Sequence, residues 1–464
     1  MASNRQPSIP AAMAIQNSSI NTSATLLNLE REYRQKKRAL SVNFREIVPW
    51  IPYNSQRYTH ALHSYPAKVI PQIPHFFLSA GSITPPKASV LDPFCGSGTV
   101  SLETCLAGCD AVASDSNPLA RLLTRVKTTP ISPTRLSRNI THIKQLVRVA
   151  RTTTPPPVVN LTYWYPTAAI EQLSRIRSAI DKVEAPDLRA LAQIAFSNCA
   201  RRASLTDPRV SVPVRLKPER YGKTHPLYRE SKERLERILK LDVIEAFFEI
   251  LEHFSAQIST LWPIRSRFGH LDTVYANSLP NEVASLASHR KESIDLIITS
   301  PPYLGAQKYI RATSLSLTWL GLSKEGELRH LERKSIGREH FEKAEYAEQI
   351  KCSATLPDRL ISEIYQKNPL RAHIAAKYLI EMGQVLDVSY RLLKPGGKLV
   401  LVSGCNSLCG KPFNTTKYLT EACKKAGFQT LLELNDTIKS RGLMTRRNRT
   451  AGIIPTESVV LFGK

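Results

Sequence analysis

The 464-residue chain lacks the cysteine patterns of disulfide scaffolds and zinc sites. Its eight cysteines form no C-x-x-C pair, and no cysteine–histidine group has zinc-finger spacing. This pattern disfavours a metal centre and predicts reduced thiols in an intracellular protein. The chain also has neither a run of about 18 apolar residues nor the apolar core of a signal peptide near its first residue. We therefore expect no membrane span and a cytoplasmic location.

Acidic residues are scarce relative to basic ones. Lys and Arg number 64 against 39 Asp and Glu, which gives a net charge of +25. Residues 121–240 alone carry 24 Lys and Arg against 9 Asp and Glu. Such an excess favours a polyanionic partner, foremost nucleic acid, although a basic soluble protein without such a partner is the plainer interpretation.

The motifs of common nucleotide-binding folds are missing as well. Neither G-x-G-x-x-G nor G-x-x-x-x-G-K-[ST] occurs, which disfavours dinucleotide and triphosphate binding. The chain instead alternates predicted strands and helices in residues 29–120 and 271–464, which indicates an α/β domain. Residues 121–270 interrupt this pattern as a basic, largely helical insertion, and the polar residues 1–28 are expected to form a disordered tail.

The most informative stretch follows the apolar run 294–298, which predicts a buried strand. That run ends at Thr299-Ser300-Pro301-Pro302-Tyr303. Because neither proline can continue a strand or a helix, Ser300 and Tyr303 are expected at the strand's carboxyl end, where open α/β sheets bind ligands. A hydroxyl, a proline carbonyl and an aromatic ring held there suit the binding of a flat base by its exocyclic amine.

A glycine turn forms the second motif. Residues 92–99, Asp-Pro-Phe-Cys-Gly-Ser-Gly-Thr, join a predicted strand to a helix. Gly96 and Gly98 allow a ligand to approach the backbone closely, although an ordinary tight turn would look the same. Asp115 ends the next predicted strand, where it is either an acceptor for ribose hydroxyls or a helix cap before Asn117-Pro118.

Taken together, these two stretches resemble the S-adenosylmethionine-dependent amino-methyltransferases of DNA. The Ser-Pro-Pro-Tyr form is similar to the cytosine-N4 branch, whereas Asp-Pro-Pro-Tyr is commoner in the adenine-N6 branch. The resemblance covers about residues 60–120 and 270–464. It implies a doubly wound, Rossmann-like methyltransferase sheet that is mostly parallel with an antiparallel last strand.

The resemblance also implies roles for individual residues. Tyr65-Pro66-Ala67-Lys68 is similar to the motif that holds the methionine end of the cofactor, and Asn277 stands where an Asp is usual. The implied cofactor-binding residues are Tyr65, Lys68, Asp92, Phe94, Gly96, Gly98, Thr99, Asp115, Asn277 and Ser278. The implied catalytic residues are Ser300, Pro301, Pro302 and Tyr303. No metal is implied.

The chemistry follows from these residues. An exocyclic amine is a weak nucleophile because its lone pair is delocalised into the ring. Acceptors at the Ser300 hydroxyl and the Pro301 carbonyl would bind both N–H groups and stabilise the positive charge that develops during attack. The target base must leave the duplex, and Tyr303 is then its stacking partner or, in the plainer interpretation, a core aromatic that caps the strand. The Pro-Cys pair that carbon-5 cytosine methylation needs occurs nowhere in the chain.

These inferences predict a DNA cytosine-N4 methyltransferase of a prokaryotic restriction-modification system. Its expected partners are double-stranded DNA in the nucleoid and a separately acting restriction endonuclease. Adenine-N6 specificity, an RNA guanine-N2 methyltransferase with a similar glycine turn, and a DNA-binding protein with a vestigial fold remain as alternatives. The candidate phosphate contacts are Arg201, Arg202, Arg215, Lys217, Arg220 and Lys223.

Overall fold

The structure is a computed structural model. It describes residues 11–51, 57–66, 68–151, 154–275, 291–304, 308–324, 326–350, 358–437 and 456–464. The strands are β1 (Leu40–Val42), β2 (Ser89–Asp92), β3 (Asp110–Ser114), β4 (Leu271–Tyr275), β5 (Ile294–Thr299), β6 (Leu393–Ser403), β7 (Asn406–Leu408), β8 (Lys411–Phe413), β9 (Gln429–Thr437) and β10 (Thr456–Gly463).

The α-helices alternate with these strands and also fill the insertion. They are α1 (Ala11–Lys36), α2 (Phe44–Ile47), α3 (Gln72–Leu78), α4 (Thr99–Leu106), α5 (Pro118–Lys127), α6 (Pro133–Val149), α7 (Leu161–Trp164), α8 (Thr167–Asp181), α9 (Pro186–Arg202), α10 (Pro226–Leu239), α11 (Val243–Ser259), α12 (Tyr309–Ala312), α13 (Ser314–Trp319), α14 (Glu327–Arg333), α15 (Asp358–Lys367), α16 (Pro369–Leu392) and α17 (Thr415–Ala426). None of the described helices is both long enough and apolar enough to cross a membrane.

An eight-stranded sheet organises the chain, in the order β1-β9-β10-β6-β5-β2-β3-β4. Of its described strands, only β10 runs antiparallel to its neighbours, β6 and β9. The predicted Rossmann-like sheet with an antiparallel last strand is therefore confirmed. The strands β7 and β8 form a separate two-stranded hairpin.

Both faces of the sheet are covered, which is why its central strands are apolar throughout. In β5, Leu296 and Ile298 face a core that includes Phe76 and Phe77. Ile297 points the other way, into a core that includes residues of α16 and Leu401. This two-sided burial is the physical basis of the doubly wound architecture.

The N-terminal segment corrects one prediction. Helix α1 begins at Ala11, inside the segment 1–28 that we predicted to be disordered, and residues 1–10 lie outside the described residues. The side chain of Leu26 is fully buried in the core that also contains Phe44 and Phe76. The Thr22 hydroxyl donates to the carbonyl of Ser79 at 3.1 Å. Tertiary packing thus orders residues whose composition alone indicated disorder.

The insertion is helical, and its helices pack into a core that they share with the α/β domain. Helices α5, α6, α8, α9 and α11 share one hydrophobic cluster with Leu62, Tyr65 and Trp319. The Trp319 ring meets Phe196 edge to face at a centroid distance of 5.9 Å, and Tyr165 at 5.6 Å. Helix α5 also starts at Pro118, before the predicted boundary at residue 121. The insertion is therefore joined to the α/β domain through a common interior.

Candidate functional site

The two motifs meet at the carboxyl edge of the sheet. Strands β2 and β5 are parallel neighbours, with Leu91 opposite Ile297. Although Asp92 and Thr299 are 207 residues apart in sequence, the Thr299 hydroxyl donates to Asp92 Oδ1 at 2.8 Å. The Phe94 amide donates to the same oxygen at 3.1 Å. Asp92 thereby fixes both the glycine turn and the end of the Ser-Pro-Pro-Tyr strand.

A cavity of about 80 Å³ lies between these motifs. The glycine turn contributes Phe94, Gly96 and Thr99 to one wall, and the Ser-Pro-Pro-Tyr loop contributes Ser300, Pro301 and Tyr303 to another. Its full lining is Lys68, Val69, Asp92, Phe94, Cys95, Gly96, Ser97, Thr99, Val100, Ser300, Pro301, Tyr303, Tyr309 and Glu457. Such a cleft at the carboxyl end of parallel strands is the usual ligand position in open α/β sheets.

Glycine is required twice in the turn that forms one wall. Gly96 has φ +46° and Gly98 has φ +73°, in the left-handed region that side chains disfavour. A Cβ atom on Gly98 would lie 2.9 Å from Thr124 Cα, so the turn also packs closely on α5. The ring of Tyr65 lies against Gly96, 3.4 Å from where a Cβ would sit.

Asp115 supports this turn from beneath. Its Oδ2 accepts from the Gly96 amide at 2.9 Å, and its Oδ1 accepts from the Asn117 amide at 2.8 Å. Burial raises the pKa of the Asp115 carboxyl. The cap of α5 is Asn117, whose side chain accepts from the Leu119 amide at 3.0 Å, so the helix-cap alternative for Asp115 is wrong. Ribose binding by Asp115 stays a prediction.

The Ser-Pro-Pro-Tyr wall carries two hydroxyl groups and a carboxylate. The Tyr303 hydroxyl donates to Glu457 Oε1 at 2.9 Å, and Ser300 lines the same pocket. Burial and the neighbouring Glu457 charge raise the pKa of Tyr303 well above its usual value. The Ser300 oxygen carries two lone pairs that can accept hydrogen bonds.

The irregular segment that leads to Tyr65 is held by side chains rather than by regular secondary structure. Lys68 Nζ donates to the His63 carbonyl at 2.7 Å, and Lys127 Nζ donates to the His60 carbonyl at 3.0 Å. Burial, together with Arg201, lowers the pKa of Lys68 to about 8. Lys127 is completely buried, which lowers its pKa well below the usual value.

The C-terminal part of helix α9, which belongs to the insertion, forms hydrogen bonds with the segment that leads to Tyr65. Asn198 Nδ2 donates to the Leu62 carbonyl at 3.1 Å, and Arg201 donates to the Ser64 carbonyl at 3.4 Å. The imidazole of His63 lies between this carbonyl, 2.9 Å from Nδ1, and the Ser197 hydroxyl, 2.9 Å from Nε2. Since a carbonyl only accepts, Nδ1 carries the proton and Nε2 accepts from Ser197.

His63 is therefore a neutral structural imidazole. Burial and the nearby cations of Lys68 and Arg201 lower the pKa of His63 to about 3. The insertion and the segment that carries Tyr65 are thus joined by three hydrogen bonds, of which the one between His63 and Ser197 is buried.

Beneath the glycine turn, α4 carries a buried ionic network centred on Glu103. Its two oxygens accept from Arg57 at 2.6 and 2.7 Å, and they also contact His60 at 2.7 Å and His75 at 3.1 Å. Burial by itself would raise the pKa of Glu103, but Arg57 and the two imidazoles outweigh it and hold that pKa well below its usual value. The network fixes α4 to the chain before Tyr65.

The predicted site residues have different outcomes. The pocket brings together Lys68, Asp92, Phe94, Gly96, Thr99, Ser300, Pro301 and Tyr303. Tyr65, Gly98 and Asp115 lie in the layer behind the pocket lining, and Pro302 follows Pro301 in the same loop. Asn277 and Ser278 fall outside the described residues.

The sequence reasoning missed Glu457 and Tyr309. Both line the pocket, and neither belongs to a recognisable motif. Tyr309 follows the Ser-Pro-Pro-Tyr loop, and Glu457 is the second residue of β10. The run Ser458–Phe462 predicted a strand, but only the antiparallel register of β10 brings Glu457 to this edge.

The predicted phosphate contacts differ in their exposure and in the side chains that they already contact. Arg202 is paired with Glu249 at 2.8 Å, so its charge is already partly neutralised. Arg215 lies over the Tyr163 ring, 4.8 Å from its centroid. Lys217, Arg220 and Lys223 are exposed.

Comparisons with known proteins find similarity to methyltransferases. No family model matches the chain. The type II methyltransferase M.MvaI of Kocuria varians is 25% identical over 370 residues, which is 74% of this chain and 76% of that protein. The similarity to methyltransferases that the motifs predict is thus confirmed by a relative that spans most of the chain.

Solved structures show weaker overall likeness. A provisionally assigned DNA modification methylase of Thermus thermophilus, complexed with S-adenosyl-L-methionine, is 20% identical with a TM-score of 0.20, over 39% of this chain and 52% of that one. The chain thus spans about half the length of that protein. The rRNA methyltransferase aviRa of Streptomyces viridochromogenes is 12% identical with a TM-score of 0.31, over 89% of this chain and 96% of that one. These scores support no argument about substrate.

Proposed function

We propose that this protein is an S-adenosylmethionine-dependent DNA methyltransferase that methylates the exocyclic N4 amine of cytosine in duplex DNA. One observation carries the proposal: the glycine turn and the residues Ser300, Pro301 and Tyr303 line a single pocket. A methyl donor and an amine acceptor need to share one pocket, because transfer requires the two reacting atoms close together and in line. The similarity to a type II methyltransferase supports the same activity.

The residues of the glycine-turn wall fit the cofactor. Gly96 presents backbone without a side chain, and Lys68 brings an ammonium group to the same pocket. We assign the methionine end of the cofactor to Lys68 and the Gly96 turn, and its ribose to Asp115. When bound, the cofactor supplies an electrophilic methyl group on a sulfonium.

The Ser-Pro-Pro-Tyr wall suits an amine. Ser300 and Pro301 both line the pocket, and the hydroxyl oxygen of the first and the carbonyl oxygen of the second can accept hydrogen bonds. Both acceptors therefore remain available for the N–H groups of the substrate. They stabilise the amine as it gains positive charge during methyl transfer.

DNA reaches this pocket only with its target base extruded. The exposed cations Lys217, Arg220 and Lys223 of the insertion are the proposed phosphate contacts, and Tyr303 is the proposed stacking partner of the extruded base. A role beside a separately acting restriction endonuclease agrees with the type II relative.

Nucleoside analysis of methylated DNA tests the proposal. Purified protein, duplex DNA and S-adenosylmethionine should yield N4-methylcytosine by mass spectrometry. N6-methyladenine alone would transfer the assignment to the adenine branch, and methyl transfer to RNA but not to duplex DNA would refute a DNA substrate.

A substitution tests the acceptor role of Ser300. We expect Ser300→Ala to lower kcat by about 100-fold or more, the usual effect of removing a group that stabilises transition-state charge. Cofactor affinity should change by less than about twofold, since Ser300 belongs to the Ser-Pro-Pro-Tyr wall and not to the proposed cofactor wall. Ser389→Ala is the matched control, because its buried hydroxyl donates within α16 to Val385 at 2.8 Å. Equal kcat in the two variants would contradict the role.

A further inference from the structure

Glu457 is the one carboxylate that reaches the pocket from the last strand of the sheet, among the residues that the structure describes. It lies in β10, lines the same cavity as Ser300 and Pro301, and accepts the Tyr303 hydroxyl proton at 2.9 Å. Ser300 lines the same pocket, and its hydroxyl lies close enough to Tyr303 to lower the pKa of that residue. A path therefore leads from the Ser300 side chain through the Tyr303 hydroxyl to a half-buried carboxylate.

The proposed reaction needs such a path because it releases a proton. The amine nitrogen forms a bond to the methyl carbon while the sulfur–carbon bond breaks, and the electron pair of that bond stays on sulfur. The nitrogen becomes positively charged and must lose one proton to give the neutral methylamine. When the extruded nucleobase fills the pocket, bulk water does not reach that nitrogen directly. A side chain therefore has to receive the proton.

We propose that Ser300, Tyr303 and Glu457 form a proton relay in which Glu457 is the terminal base, a role that rests on the proposed function. The substrate nitrogen gives its proton to Ser300 Oγ as the Ser300 proton passes to the Tyr303 oxygen. The Tyr303 proton passes at the same time to Glu457 Oε1. Charge balances, because one positive charge leaves the nitrogen and one carboxylate becomes neutral.

The surroundings of Glu457 suit a base. Burial raises the pKa of its carboxyl, and the Asp436 charge on β9 acts in the same direction. The Tyr303 hydrogen bond and the Arg45 guanidinium act in the opposite direction, and the net pKa lies above the usual value for Glu. These are the groups that face it from β9, α2 and the Ser-Pro-Pro-Tyr loop. Tyr303 keeps its own proton because its pKa is raised, so it conducts protons without ionising.

The decisive variant is Glu457→Gln, which can still accept the Tyr303 hydrogen bond but cannot take up a proton. We expect kcat to fall by about 100-fold, within the usual range for loss of a general base. The wild-type kcat should rise with pH as Glu457 ionises, and this rising limb should disappear in the variant. Tyr303→Phe interrupts the same path from the other side and should give the same loss, which keeps the test valid should one variant fold poorly.

A second Tyr–Glu pair on the same sheet supplies the control. Tyr33 is hydrogen-bonded to Glu433, and burial and that carboxylate raise its pKa to about 12. Glu433 lies on β9 and is not among the residues that line the pocket. Glu433→Gln should leave both kcat and the pH profile unchanged.

Two readouts do not depend on turnover. In the infrared spectrum, the wild-type protein should show a carboxyl band that titrates at the pH of the kinetic limb and is missing in Glu457→Gln. Binding of duplex DNA with the demethylated cofactor should change by less than about twofold, since the relay acts after binding. A merely structural role would weaken binding and would leave the pH limb in place.

The relay is overturned if Glu457→Gln keeps the rising limb of kcat, or if its kcat stays within about twofold of the wild type. A wild-type protein that methylates no DNA refutes the proposed function instead. The two failures are therefore distinguishable in the same set of measurements.

Discussion

Replacement of Asp92 by Asn should remove a large pH dependence of stability. Asp92 is 3% exposed, and burial raises its pKa from 3.8 to about 7, against the opposing effect of its bonds from Thr299 and Phe94. An Asn at this position keeps an oxygen that accepts both hydrogen bonds. The substitution therefore removes the titration while it preserves most of the geometry.

The sign and size of this pH dependence follow from the linkage between proton binding and folding. A carboxyl whose pKa is higher in the folded state binds its proton more tightly when folded, so the folded state gains stability as pH falls from above 7 to below 4. The shift of about three pKa units corresponds to about 4 kcal/mol at ~1.4 kcal/mol per unit. The wild-type free energy of unfolding, taken relative to that of Asp92→Asn, should fall by this amount as pH rises through that window.

Urea denaturation at several pH values between 4.5 and 8 measures this difference. Asp181→Asn is the matched control, since its side chain is 61% exposed and pairs with Arg177 at 4.0 Å. The control should follow the wild-type curve. Parallel curves for the wild type and Asp92→Asn over this range would refute the assignment of a strongly raised pKa to Asp92.

Two further substitutions test the support of the pocket. Gly98→Ala combines a φ of +73° with a Cβ only 2.9 Å from the α5 backbone, and should lower the free energy of unfolding by at least about 2 kcal/mol. Gly81→Ala, whose Cβ would meet nothing within 4 Å, should change it by less than about 0.5 kcal/mol. Glu103→Gln leaves Arg57 without its partner in a buried network and should cost about 3 kcal/mol by thermal or urea unfolding. Glu32→Gln, at an exposed pair, should cost less than about 0.5 kcal/mol, and equal losses would contradict the role of burial.

The sequence predicts those parts of the site that are encoded locally. The strand ends at Asp92 and Thr299 follow from apolar runs that stop at proline or glycine, and parallel pairing then brings them to one edge of the sheet. The Thr299–Asp92 bond at 2.8 Å is the physical result of that pairing. The fold class and the approximate positions of both pocket walls could therefore be predicted from the sequence.

Features that depend on contacts between distant parts of the chain could not be predicted from the sequence. Glu457 carries no local signal, and only the pairing of β10 with β6 and β9 moves it beside Tyr303. Lys127 ends an amphipathic helix, where a basic residue is normally solvated, yet it is buried against the His60 carbonyl. The order of α1 likewise depends on Leu26 fitting a core formed by later segments.

The contact between α9 and the segment before Tyr65 has a consequence for protein engineering. Ser197, Asn198 and Arg201 share one helix face and bind residues 62–64. Replacement of the insertion by a foreign sequence would remove these bonds together with any DNA contacts, so new specificity cannot be grafted as an independent module. The exposed loop that carries Lys217, Arg220 and Lys223 lies outside this junction, and it is the position where sequence can vary while the interior stays intact.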